Sequence, residues 1–240
     1  LENLQSQKDE LFALIIHDIK NPAALIKSLV DLLRSYDLSA VEQQEIINDI
    51  AETTSRIVSL SQEVSKILAL ETTKLVLDIQ EAQMSEIIKD VVRRNNVAAV
   101  SKNISMTTDI AQNLPEAEFD IQKVEEVVDN LISNAIKFTQ SGGKVLVRAF
   151  VDNKNITVEV TDNGLGLSEA DVRNAFQRGS RLSAQPTSGE HSSGLGLWIT
   201  KKLVDAHNGR VWVKSTLGKG STFAFSLPVK YMGASVEVKS

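Results

Sequence analysis

The chain has 240 residues, 42% of them hydrophobic and 24% charged, with a net charge of −5 and no cysteine. This is long enough for one full α/β domain plus a smaller element, and the apolar share excludes a mainly disordered or fibrous chain. The acidic balance and the lack of a long Lys/Arg run argue against nucleic acid or anionic lipid as partners, and the lack of cysteine excludes disulfide scaffolds and Cys-based zinc or redox sites. No stretch approaches the roughly 18 apolar residues of a membrane span, and no signal-peptide pattern opens the chain. The expectation is a cytoplasmic segment without membrane contact, with any sensor or anchor lying outside it.

From Leu4 to Arg34 apolar residues recur at helical spacing, at Phe12, Ile15, Ile19, Ile26, Leu29 and Leu33, which predicts one long amphipathic helix. Ser39 followed by Glu42 reads as a capping box that starts a second helix near Ala40. In that helix Ile46, Ile50, Thr53, Ile57, Leu60, Val64 and Ile67 follow the four-three alternation of a coiled-coil seam. Two helices alone bury too little surface to stand, so the hairpin is expected to form a homodimer as a four-helix bundle.

The pattern changes near residues 71 to 75. Residues 75–80 alternate like a strand, and Met84 to Val100 returns to helical spacing. A strand at Ile104 to Asp109 and a helix at Ile121 to Phe138 follow, then strands at 144–151 and 156–162 joined by the turn Asp152-Asn153-Lys154-Asn155. A short helix at Ser168 to Phe176 leads into a polar stretch that reads as a mobile lid. Next come a helix from Leu195 to His207 stopped by Asn208-Gly209, and two strands linked through Gly218 and Gly220. The expected division is 1–72 for the hairpin, 73–228 for a second domain and 229–240 for a loose tail. The expected fold class is α+β: an antiparallel helical hairpin followed by an α/β sandwich with one face of a mixed sheet covered.

Three groups of residues carry candidate chemistry. On the first helix lies His17-Asp18-Ile19-Lys20-Asn21-Pro22. At about 100° per residue, with Ile15 as the core direction, His17 falls near 200° and Asn21 near 240°, so both face solvent. Asp18 can accept a hydrogen bond from one imidazole nitrogen and leave the other as a nucleophile; Pro22 should bend the helix locally. A lone helical His beside an Asp is equally a surface feature. The second group is the row Asn130, Asn134 and Lys137, one helix face at i+4 and i+3 spacing, with Glu126 extending it backwards. Its carboxamides suit Mg²⁺ that already carries phosphate, and Lys137 offers a charge to the phosphates, though an exposed polar face has the same pattern. The third group joins two glycine turns. Asp162-Asn163-Gly164-Leu165-Gly166 follows a strand, where Asp162 could accept the exocyclic amine of adenine. Gly194-Leu195-Gly196-Leu197 opens a helix, where free N–H groups favour phosphate without a Walker pattern.

In order and spacing these groups resemble the sensor histidine kinases of two-component signalling. Residues 17–22 look like that family's H box, Asn130 to Phe138 its N box, Asp162 to Gly166 its G1 box, Phe176-Gln177-Arg178 its F box and Gly194 to Leu197 its G2 box. The resemblance implies a dimerisation and phosphoacceptor hairpin followed by a GHKL-type ATPase domain of the Bergerat fold. It implies His17 as phosphoacceptor polarised by Asp18, Asn134 on Mg²⁺, Asn130 and Lys137 on phosphate, Asp162 on adenine, and Gly194 and Gly196 cradling phosphate. Arg178 would approach the γ-phosphate as the lid closes. ATP and Mg²⁺ are the implied cofactors, the receiver domain of a response regulator the implied partner, and Asn21 the residue implied in dephosphorylating that partner. Arg173 and Ser192 depart from the family's usual aromatic and glycine. Two other readings share the nucleotide fold: a conformational ATPase with Glu126 activating water, and a nucleotide-binding dimer that signals by shape.

Overall fold

The computed structural model describes residues 2–72, 75–180, 182–187 and 194–231. They fall into two compact units, Leu1–Lys74 and Leu75–Ser240. In the first, α1 (Glu2–Ser35) packs on α2 (Ala40–Thr72). The helix continues through Pro22, which is buried, so loss of one backbone donor does not end it. The capping box is present: Ser39 N donates to Glu42 Oε2 at 2.8 Å and Glu42 N donates to Ser39 Oγ at 3.4 Å. The side-chain bond from Ser39 holds the Glu42 carboxyl below the usual carboxylate range. Along the seam Thr53 is buried, and Ile46, Ile50, Ile57, Leu60 and Val64 are half-buried while those of their neighbours whose side chains are described are exposed, as one stripe facing α1 requires.

The second unit begins with β1 (Gln80–Gln83), which pairs antiparallel with β3 (Glu116–Phe119) in a small sheet of its own. The main sheet contains β2 (Ser105–Ile110), β4 (Lys144–Asp152), β5 (Asn155–Asp162), β6 (Arg210–Thr216) and β7 (Gly220–Pro228) in the order β2-β4-β5-β7-β6. Only β2 and β4 run parallel, so the sheet is mixed. Alternation along the strands turns Val145, Val147, Val158, Val160, Phe223 and Phe225 to one face, all buried. Against them lie α3 (Met84–Ser101), α4 (Ile121–Phe138) and α6 (Gly196–Ala206), through Ile88 and Val91, Val128 and Leu131, and Leu203 and Val204. A short α5 (Glu169–Asn174) is capped by Ser168.

Three expectations need correction. The strand expected at 75–80 starts later: residues 75–79 are irregular, and the pairing stretch is Gln80–Gln83. Its partner β3 was not foreseen. The tail expected to be loose from residue 229 is held through Tyr231, since Glu118 N donates to Val229 O at 2.9 Å and Tyr231 N to Glu118 Oε2 at 3.0 Å. Residues 232–240 lie outside the described residues. Among the described residues no helix is long and apolar enough to cross a membrane.

Candidate nucleotide site and phosphoacceptor helix

The site is organised by α4, whose apolar stripe leaves its polar stripe for chemistry. Asp120 caps the helix by accepting from Lys123 N at 3.1 Å. At the far end the Lys102 ammonium donates to the carbonyls of Ile136 and Lys137, both at 2.9 Å, a cation where the helix dipole is negative. Between these ends, Asn130 Nδ2 donates to Thr200 Oγ1 on α6 at 2.7 Å, and Asn130 Oδ1 faces the Asn134 amide at 3.5 Å. Gly196, at the start of α6, approaches so closely that a Cβ there would collide with Asn130 Oδ1. The structure therefore brings together Asn130, Asn134 and Gly196 from the expected set, and adds Thr200.

The glycine turn after β5 closes on the same helix. Asp162, 6% exposed, accepts from Gly164 N at 2.8 Å. Burial pushes its carboxyl above the ordinary carboxylate value, partly opposed by the backbone N–H groups of Gly164 and Ser221. Leu165 N donates to Phe138 O at 3.2 Å, and a Cβ on Gly164 would strike that same carbonyl. Gly166 takes φ +66° with its Cα against Thr216 O, and Gly194 takes φ +71°, positions where a side chain is strained. Phe138 and Lys137 are half-buried and Leu195 is buried.

The described part of the polar stretch is tied down at two points. Thr187 donates through N and Oγ1 to Lys137 O, at 3.0 and 3.1 Å, and through Oγ1 to Thr139 O at 2.8 Å. Ser183 bonds the Asp171 carboxylate, which holds that carboxyl below its usual range. Phe176 stacks edge-on against Phe223 with centroids 6.3 Å apart, while Arg173 in the turn before it is exposed and pairs with Glu169. Arg178 places its guanidinium carbon 5.7 Å from the centre of the Trp198 ring, a cation–π contact. Residues 188–193, with His191 and Ser192, lie outside the described residues.

His17, Asp18 and Asn21 all lie within α1, and Asn21 is exposed. The side chains of His17 and Asp18, and with them the expected solvent-facing orientation of His17, lie outside the described residues. His207, at the end of the predicted helix, is a buried, hydrogen-bonded side chain. It is 2% exposed, and its Nε2 accepts from Asp120 N at 3.1 Å, so the proton sits on Nδ1, which donates to Leu203 O at 2.7 Å. Burial lowers its pKa and keeps the ring neutral. Thr200 and His207 carried no motif; their signal was only the i+4 step from Gly196 and the end of the helical pattern.

Residues 119–231 match the family model of the histidine kinase-, DNA gyrase B-, and HSP90-like ATPases. The adaptive-response sensory kinase SasA of Synechococcus sp. (strain JA-3-3Ab) is 28% identical over 226 residues, covering 92% of this chain and 59% of that protein. The chain thus spans about three fifths of that relative's length. Among solved structures, histidine kinase ThkA in complex with the response regulator protein TrrA matches with a TM-score of 0.75 at 22% identity, over 95% of this chain and 64% of that one. Full-length ShkA in complex with AMPPNP matches with a TM-score of 0.69 at 22% identity, over 94% of this chain and 47% of that one.

Proposed function

We propose that the chain is a sensor histidine kinase segment, an ATP-dependent protein-histidine autokinase acting on His17; the ATPase family match at residues 119–231 and the similarity to sensory kinases support this reading. The observation that carries the proposal is the meeting of Asn130, Asn134 and Gly196 on the C-terminal half of α4, with the Asp162 turn packed on Phe138 at its end. These groups fit a metal nucleotide. The backbones of Gly164 and Gly196 come nearer to α4 than any side chain would allow, and Asp162 is a buried carboxylate with lone pairs to spare.

In this reading Asp162 accepts the adenine amine, Asn130 and Lys137 hold phosphate oxygens, and Asn134 lends its carboxamide oxygen to Mg²⁺. Gly194, Leu195 and Gly196 present backbone N–H groups at the start of α6. Bound Mg-ATP supplies the transferable phosphoryl group and the neutralising charge. His17, its tautomer set by Asp18, would offer one imidazole nitrogen as the nucleophile that takes the γ-phosphoryl group, with ADP as the leaving group, and Arg178 would leave Trp198 to neutralise the transferring charge. The phosphoryl group then passes to an aspartate of a receiver domain, a reading supported by the ThkA–TrrA complex. Asn21, exposed one turn from His17, orients a water that hydrolyses the receiver's aspartyl phosphate, releasing inorganic phosphate and the free aspartate.

A homodimer follows from α2. Beside its buried seam it carries a second four-three stripe, Ile47, Ala51, Thr54, Val58, Ser61, Ser65 and Leu68, and every member is exposed. The test is incubation with γ-labelled ATP and Mg²⁺. The expected result is protein-bound label that falls to background in Asn134→Ala. Nucleotide hydrolysis with no label on the protein would overturn the proposal in favour of a conformational ATPase using Glu126.

A further inference from the structure

A second polar contact joins α4 to α6 at the end away from the glycines. The helices run in opposite directions, so Asn130–Thr200 fastens the middle of α4 to the first turns of α6, while Asp120–His207 fastens the start of α4 to the end of α6. The two contacts are about 15 Å apart along α4, ten residues at 1.5 Å each. Each group of the second contact is fully used. Asp120 Oδ1 caps Lys123 N, its Oδ2 accepts from Asp78 N at 3.0 Å, and its own N–H meets His207 Nε2. His207 spends its one proton on Leu203 O. Asp120 and His207 are 6% and 2% exposed, so water does not replace a lost partner. Around them, the closing turn of α6 is fixed by Asn208 N to Asp205 O at 3.0 Å and Gly209 N to Val204 O at 2.9 Å, with Asn208 at φ +59°.

We propose that Asp120 and His207 are positioning residues for the nucleotide site, and that through Asp78 they fasten the segment by which the chain enters the second unit to that site. The proposal rests on the nucleotide reading above. If the start of α4 slides against the end of α6, Asn130 shifts against Gly196 and Thr200, because a helix moves as one body. The bond from Asp78 then makes segment 75–79 and the nucleotide site partners in one equilibrium. Coupling of this kind is reciprocal: a nucleotide that favours the registered helices strengthens the Asp78 bond, and release of that bond weakens nucleotide binding. Buried apolar packing alone would hold the helices together but would not tie Asp78 to them.

The experiment uses the full chain with a non-hydrolysable ATP analogue. Its Kd is measured together with the hydrogen-exchange rate of the Asp78 amide, with and without analogue, at a temperature where each variant is folded by far-UV circular dichroism. In the unaltered chain the analogue is expected to slow Asp78 exchange. His207→Phe, which keeps the volume and loses both bonds, is expected to weaken the analogue about 2- to 30-fold and to abolish the response at Asp78. His207→Gln, whose side-chain oxygen can take the Asp120 N–H, is expected to restore both. A folded His207→Phe protein with unaltered Kd and an unaltered Asp78 response would overturn the role, even with a lower melting temperature. If His207→Phe does not fold, the unaltered chain decides, because analogue binding without any change at Asp78 overturns the role equally. A chain that binds no adenine nucleotide removes the nucleotide reading and this role with it.

Discussion

Burying Asp162 makes one carboxylate both costly and selective. Desolvation raises its pKa, so the fold binds this proton more tightly than the unfolded chain does, and the resulting stability is full below the ordinary carboxylate value and lost as pH rises through the raised one. Asp162→Asn removes this cost, so the apo variant is expected to melt no lower than the parent at neutral pH. In the proposed site the same change puts a donor where an acceptor would meet the adenine amine. It should weaken adenine nucleotide binding by about 1.5–3 kcal/mol, or about 10- to 150-fold, as read by titration calorimetry. Affinity of the parent is expected to fall as pH drops toward the ordinary carboxylate range, beginning above it, while that of the variant stays flat. His207 behaves in the opposite sense to a paired histidine. Its folded pKa is lowered, so the unfolded chain takes up the proton first. Stability is full above the ordinary imidazole value near 6.5 and declines as pH falls from there toward the lowered folded value. His207→Gln should flatten that part of a urea-midpoint profile.

At the scale of elements, the two helix starts that matter most can be tested separately. Ser39→Ala removes the hydroxyl that accepts from Glu42 N and donates to Glu42 Oε2, leaves the backbone N–H of position 39 on that carboxylate, and is expected to lower stability by about 1 kcal/mol in chemical denaturation of the first unit. Gly196→Ala forces a methyl group into Asn130 Oδ1, which must leave Thr200 or push α6 away. The expected cost is about 1–3 kcal/mol in the second unit, with weakened nucleotide binding. Helices and hairpin strands were legible in the sequence because each announces itself locally. The 3.6-residue stripe of α4, the capping box at Ser39 and the Asn153-Lys154 turn, both at positive φ, are all short-range signals. β1 and β3 were not legible. Leu75 to Ile79 alternates without a partner, whereas Glu116–Phe119 is a strand only because Gln80–Gln83 lies beside it. The candidate site divides in the same way. Asn130 and Asn134 follow from helix spacing, but Thr200 is 70 residues from Asn130, and His207 is 87 from Asp120. Contacts at such separations follow from the fold and leave no periodic trace.

For the whole molecule, function depends on two units that differ in kind. The first is a helical hairpin with one buried seam and a second exposed stripe on α2, the stripe on which the proposed homodimer rests. The second is a sheet covered by helices, with its polar and glycine residues gathered where α4, the Asp162 turn and the start of α6 meet. The account joins them through one reaction, transfer of a phosphoryl group from nucleotide held by the second unit to His17 of the first. The most direct test compares the full chain with His17→Gln after incubation with γ-labelled Mg-ATP, following protein-bound label under acid and alkali. The account predicts label on the unaltered chain that acid removes and alkali spares, as a phosphoimidazole requires, and none on His17→Gln despite equal nucleotide binding. Equal labelling of the two proteins would contradict it.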